Sequence, residues 1–162
     1  MQATQTAPVN SQIVLPFVQS VRAVLSSMAG VVTTVGKPYL KVDSHHKHNV
    51  SAIIGFSGDV IGSMVISLQS GTAVSIASAF AGVEVEAESP DFSDAIGELA
   101  NMIAGGAKKD LGGRATITCP TVVMGEGLRT ARLHGVPCIV IPCSTAAGEF
   151  VVEVNLRIGN GD

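Results

Sequence analysis

The sequence predicts an α+β fold, and three observations carry that expectation. Hydrophobic residues make up 46% of the chain and charged residues only 14%, so most of it must be packed; disorder needs the opposite balance. Segments near the start and in the middle repeat their apolar residues at helical spacing. The last third holds three strand-like runs linked by turns, "ATITCPTVVMGEG", "VPCIVIPCST" and "GEFVVEVNLRI". Such a run of antiparallel strands favours α+β over an alternating α/β arrangement. At 162 residues the chain fits one domain with a substantial core. With Phe 5, Tyr 1 and Trp 0, that core should be built from Val, Ile and Ala.

Residues 1–8 read as a disordered polar lead, and 9–162 as a single domain. A first helix starts at Asn10 or Ser11, with Val14, Phe17, Val18, Val21, Val24, Leu25 and Met28 at helical spacing. Ser11 is the candidate cap, Pro16 is tolerable near the start, and Gly30 ends the helix. "VVTTVGKPYLKV" is rich in β-branched residues and predicts extended chain, with Gly36-Lys37-Pro38 as a turn. "HNVSAIIGFSGDVIGSMVISL" predicts two strands joined at Ser57-Gly58-Asp59. "SGTAVSIASAFAG" predicts a short helix from Ser70 to a stop at Gly82. "VEVEAESPD" after it fits either a short edge strand or a solvated loop. Ser89-Pro90-Asp91 opens a further helix with a capping serine, a proline at the first position and an acid in the first turn. Its predicted end is Leu111, stopped by Gly112-Gly113. The helix–strands order occurs once early and once late, a weak sign of internal duplication.

The formal charge is −3 with only 10 Lys+Arg, which excludes the basic footprint of a nucleic-acid binder. No Lys or Arg precedes the first apolar run and Pro16 interrupts it, so no signal peptide is expected. No uninterrupted apolar stretch approaches the roughly 20 residues of a membrane span. The expected location is cytoplasmic, with Cys119, Cys138 and Cys143 as reduced, buried small residues.

The helix opening at Ser89 carries the candidate chemistry. On a wheel of about 100° per residue, Ile96, Leu99, Ala100, Ile103, Ala107 and Leu111 share one broad arc. Asp94, Glu98, Asn101, Gly105 and Lys108 fall opposite. Glu98 and Asn101, at i and i+3, project together, Asp94 lies one turn earlier, and Gly105 leaves the next position bare. Any amphipathic helix has a polar face. Two features depart from an idle one: Gly97, Gly105 and Gly106 each cost about 1 kcal/mol of helix stability, and Asn is a mediocre helix former.

At these residues the chain resembles the CheC/CheX/FliY chemotaxis phosphatases, whose signature is Asp or Ser, three residues, Glu, two residues, Asn on an exposed helix, with a proline further on. Asp94, Glu98 and Asn101 match in order and spacing, and Pro120 is the candidate proline, in a segment a few residues shorter than is usual. "GELANMIAGGAKKDL", "SAIIGFSGDVIGSMVISL" and "VNSQIVLPFVQSVRAVLSSMAG" are similar to that family's motif helix, first hairpin and N-terminal helix. The first glutamate is Glu84, and only Glu98 has Asn three residues on. A single motif matches the CheX branch rather than the two-motif CheC branch.

The resemblance implies a long antiparallel sheet with helices on one face. It also implies a phosphatase acting on the aspartyl phosphate of a CheY-type receiver. Asn101 would orient the attacking water and Glu98 would anchor to the receiver's active-site lysine, with Asp94, Gly105 and Lys108 at the partner interface. This chain would need no cofactor, because Mg²⁺ would sit on the receiver. A homodimer paired through strands is implied as well, with "VPCIVIPC" as the apolar candidate. Two other readings compete. One is a non-catalytic adaptor that keeps the helix. The other is a metal site on His45, His46 and His48, where alternation could place His46 and His48 on one face, but His134 is the only other histidine and no recognisable ligand set completes it.

Overall fold

The computed structural model describes residues 9–43 and 48–159. The predicted N-terminal lead therefore lies outside the described residues, as do His45 and His46. The first described element is α1 (Ser11–Ala29), where Asn10, not Ser11, is the cap, its side chain accepting from the Gln12 N–H. Gly30 closes the helix in the left-handed region at φ 63°, a conformation that costs glycine nothing. Two short strands follow, β1 (Thr34–Val35) and β2 (Tyr39–Leu40), then the hairpin of β3 (Val50–Gly58) and β4 (Val60–Leu68). Two helices come next, α2 (Ser70–Ala81) and α3 (Pro90–Lys108), then β5 (Ala115–Ile117), β6 (Thr121–Met124), β7 (Ile139–Thr145) and β8 (Gly148–Ile158).

The eight strands form one antiparallel sheet in the order β1-β7-β8-β4-β3-β5, with β2 also on β7 and β6 also on β3. Side chains alternate faces along a strand. Ala52, Ile54, Met64, Ile66, Ile141, Phe150, Val152 and Val154 therefore share one face, and they join Phe17, Val21, Leu25, Ile76, Phe92, Ile96 and Ile103 of the helices in a single apolar cluster. The α+β architecture with helices on one face is as predicted. On the other face Ser51, Ser67, Glu153 and Asn155 are also buried. Part of the cover is the segment leading into β7: the Asn155 side chain accepts from the Leu133 N–H and donates to the carbonyls of Val136 and Pro137.

Both outer edges of the sheet are interrupted in the same way. Val35 pairs with Cys143 and Tyr39 with Val140, so the edge strand carries one residue more than β7 opposite it. Ile117 pairs with Phe56 and Thr121 with Ile53, which repeats the mismatch against β3. Each is a β-bulge, and each ends on a proline, Pro38 or Pro120, directly before the strand resumes. Gly36-Lys37-Pro38 is thus a bulge and not the predicted turn, and "ATITCPTVVMGEG" makes two short strands where one was expected. Pro142 sits inside the sheet opposite the first bulge, its carbonyl accepting from the Gly36 N–H, where an absent N–H breaks no ladder.

Of the two readings open for "VEVEAESPD", the loop holds, with Val85 tucked inward at 4% exposure and its N–H donating to Ser78 Oγ. Further differences from expectation have local causes. α3 stops at Lys108, short of the predicted Leu111. The Asp110 and Leu111 N–H groups reach back three residues to Ala107 and Lys108, a tightened last turn that swings Leu111 into the core at 2% exposure. β7, the apolar strand expected at a dimer edge, is interior: β8 lies on one side and β1 and β2 on the other. By length and composition α1 would pass for a membrane span, although Gln19, Ser20 and Arg22 interrupt its apolar run. In the fold its apolar side, Ile13, Val14, Phe17, Val21, Val24 and Leu25, is buried in the core.

Candidate active site

α3 owes its start to Ser89, whose Oγ accepts from the Phe92 N–H at 3.1 Å and donates to the Glu86 carbonyl at 2.7 Å. Pro90 supplies the fixed φ that suits the first helical position, and Asp91 complements the positive end of the helix. Phe92, Ala95, Ile96, Leu99, Ala100, Ile103, Ala104 and Ala107 are buried, which fixes the rotation of the helix. Asp94 and Glu98 are consequently exposed, and Asn101 and Lys108 are half-buried at the surface. None of these four side chains makes a hydrogen bond or ion pair among the described residues. A solvated carboxylate and a solvated amide one turn apart are thus free to bond to another molecule.

The three glycines of α3 separate by role. A Cβ at Gly105 would meet nothing within 4 Å, so this position is bare surface beside the Glu98–Asn101 turn. A Cβ at Gly106 would collide with Ser20 Oγ, and Ser20 donates to the Ile103 carbonyl at 2.7 Å. Here α1 crosses α3 closely. A Cβ at Gly97 would lie 3.3 Å from Cγ of Pro120. Two of the three glycines therefore serve packing, and only Gly105 belongs to the open face. Met102, next to Asn101 in the chain, is half-buried against the core cluster.

The contact at Gly97 also places Pro120, which the sequence left as a candidate: its ring lies against α3 one residue before Glu98. Sequence reasoning missed Thr118, whose N–H donates to the Gly55 carbonyl and whose Oγ1 accepts from the Gly55 N–H. A proline inside a strand-like run was the available signal for the bulge.

The remaining candidates are elsewhere. His48 donates its backbone N–H to Ser67 Oγ, and among the described residues no three His, Cys, Asp or Glu side chains form a group able to hold a metal ion. The cleft of about 470 Å³ lined by Asn10, Ile13, Leu40, Val136 and Arg157, among others, shares no residue with the α3 face. Cys119 is exposed, against expectation, because it lies on the second bulge; Cys138 and Cys143 are buried. Burial pushes the Cys143 thiol up to about 12, with Arg22 opposing. Burial and then the Glu153 carboxylate raise Cys138 against the pull of Arg132 and Lys41.

The model of the family described as chemotaxis phosphatase CheX matches residues 50–144, which include all of α3. A Thermotoga maritima protein named CheY-P phosphatase CheX is 33% identical over 155 residues, covering 93% of this chain and 99% of that one. The chain belongs to the CheX family. The crystal structure of a chemotaxis protein CheX from Desulfovibrio desulfuricans superposes with a TM-score of 0.81 at 34% identity, over 91% of this chain and 99% of that one. A Borrelia burgdorferi CheX, solved as a CheX–CheY–BeF₃–Mg²⁺ complex, gives a TM-score of 0.75 at 28% identity, over 90% and 97% of the two chains. In CheX family terms, the sheet and its helices are shared over nearly the whole length.

Proposed function

We propose that this protein removes the phosphoryl group from the aspartyl phosphate of a CheY-type receiver domain. The observation that carries the reading is the unpaired Glu98–Asn101 turn, presented on an outward helix face in a CheX-family chain. A projecting face suits insertion into another protein's active site. The Thermotoga relative named CheY-P phosphatase and the Borrelia complex with CheY support the same partner class.

The chemistry follows from what these side chains can do. Water attacks phosphorus, the bond from phosphorus to the aspartyl oxygen breaks, and inorganic phosphate and a free carboxylate result. Phosphoryl transfer of this kind depends mainly on positioning and charge stabilisation. An asparagine amide both accepts and donates, so Asn101 holds the water in line. Glu98 carries the charge that pairs with the receiver's lysine in a charge-assisted hydrogen bond. Asp94 and Lys108 are rim contacts, each worth little, and Gly105 leaves space for the receiver surface. Mg²⁺ belongs to the receiver, and no cofactor is assigned to this chain. The proposal includes a cytoplasmic location. It also includes a homodimer paired through the β1/β2 edge, where Val32 and Val42 stand 81% and 99% exposed.

Timing phosphate loss from a phosphorylated receiver tests the reading. Asn101→Ala should lower the accelerated rate about 100-fold while leaving receiver affinity nearly unchanged. Undiminished acceleration would overturn the assignment. Glu98→Ala should weaken binding at least about tenfold and reduce the rate with it. A wild-type protein that binds the receiver without hastening phosphate loss would establish the adaptor reading instead.

A further inference from the structure

We infer that Gly97 and the Thr118-Cys119-Pro120 bulge form a seat that sets how far the Glu98–Asn101 turn projects from the sheet. The inference rests on the proposed role of Glu98 and Asn101 and names what positions them. Three observations converge on it. Thr118 is held to β3 twice: its N–H donates to the Gly55 carbonyl at 3.0 Å, and its Oγ1 accepts from the Gly55 N–H at 2.9 Å. The approach is close, since a Cβ on Gly55 would lie 3.1 Å from Thr118 Cγ2. Two residues on, Pro120 presses its ring on α3 at Gly97, with Val122 beside it; a Cβ on Gly97 would lie 3.3 Å from Pro120 Cγ and 3.6 Å from Val122 Cγ2. Gly97 adjoins Glu98 and is buried, whereas Glu98 is exposed.

The seat is stiff by construction. Proline contributes a fixed ring, the two hydrogen bonds between Thr118 and the Gly55 backbone fix where the bulge leaves the sheet, and glycine permits the helix to settle on the ring without a side chain between them. An added methyl at Gly97 forces the helix or the ring to yield by a few tenths of an ångström. The step most sensitive to such a shift is in-line alignment of water by Asn101, because a displacement of about 1 Å costs on the order of 100-fold in rate. Gly97, Thr118 and Pro120 are positioning residues: they act through Glu98 and Asn101 without touching the receiver's phosphate.

The test uses the full chain and a CheY-type receiver, phosphorylated with phosphoramidate, on which the wild type is active. Rates are measured at a temperature where circular dichroism shows every variant folded. Gly97→Ala should lower the maximal rate about tenfold, with less than threefold change in the half-saturating concentration. Pro120→Ala added to Gly97→Ala removes the ring atom in conflict and should restore at least half of the loss on a logarithmic scale. Thr118→Val should slow the reaction and Thr118→Ser should not, which keeps the test valid if Gly97→Ala does not fold. A folded Gly97→Ala or Thr118→Val variant at the wild-type rate, or a double variant no faster than Gly97→Ala, overturns the seat. Asn101→Ala runs in parallel: if it retains full acceleration, the reading of the site itself has failed, independently of the seat.

Discussion

Lys41, just past the end of β2, places its ammonium 2.5 Å from the carboxylate of Glu153 in the middle of β8, with side-chain exposures of 9% and 6%. A pair this buried gains little over an apolar replacement, yet losing one partner strands the other charge. Glu153→Ala should therefore destabilise the fold by about 3–5 kcal/mol, read as a lower urea midpoint, while Lys41→Met with Glu153→Leu recovers most of the loss. A double variant as unstable as Glu153→Ala would contradict this. The thiols give a second check. A thiol whose pKa is raised stays protonated, and inert, until the pH passes the raised value. Cys143, pushed up to about 12, and the buried, upward-shifted Cys138 should both resist a thiol reagent at pH 8, leaving the exposed Cys119 as the one site modified before unfolding. Two or more fast-reacting thiols in the native protein would refute the assignment. Glu98 and Asn101 were legible as outward-facing neighbours because helical periodicity alone places them. The Lys41–Glu153 pair was not, since β8 reads as buried or solvated there only once the chain covering its outer face is known.

Elements were legible where their signals are local. Ser89, Pro90 and Asp91 announced the start of α3, and the Ser89 Oγ bond to the Phe92 N–H gives that signal an energy: Ser89→Ala should cost about 1 kcal/mol. Equilibrium denaturation would show it, and Ser89→Asp should restore it; an unaltered midpoint for the alanine variant would deny the cap its role. The far end of α3 was less legible because it is decided by a tertiary demand, the burial of Leu111, which tightens the last turn before the glycines are reached. The bulges lay between these cases. A bulge moves the backbone acceptor away from the residue opposite, and that residue must be satisfied otherwise. At Pro142 there is no N–H to satisfy. At Gly55 the Thr118 hydroxyl accepts it. Both prolines and the threonine stand in the sequence, but which strand lies opposite them does not.

The pairing of those two edges shows a two-fold arrangement in the whole molecule. β3–β4 and β7–β8 are hairpins joined through β4 and β8, and each hairpin's outer strand carries a bulged edge from the other half of the chain. α1 and α3 begin the two halves and have 19 residues each. Aligned cap on cap, Asn10 with Ser89, the buried positions coincide: Ile13 with Phe92, Phe17 with Ile96, Val21 with Ala100, Val24 with Ile103 and Leu25 with Ala104. The repeat faint in the sequence has a structural counterpart in a shared burial pattern and strand order, with hardly any residue identity. Under the same alignment Glu98 falls on Gln19 and Asn101 on Arg22, both exposed. Gln19 has no charge to meet a lysine, and the Arg22 guanidinium only donates hydrogen bonds, so it cannot accept one from a water. Gly97, moreover, falls on Val18, which removes the glycine of the proposed seat. The two halves share a scaffold, and only the second carries the Glu98–Asn101 turn. Each chain should therefore bind one receiver. Isothermal titration with a receiver held in its phosphorylated form by beryllofluoride and Mg²⁺ should give one site per chain, and Glu98→Ala with Asn101→Ala should leave no accelerated phosphate loss. Two sites per chain, or residual acceleration by the double variant, would show that α1 also acts.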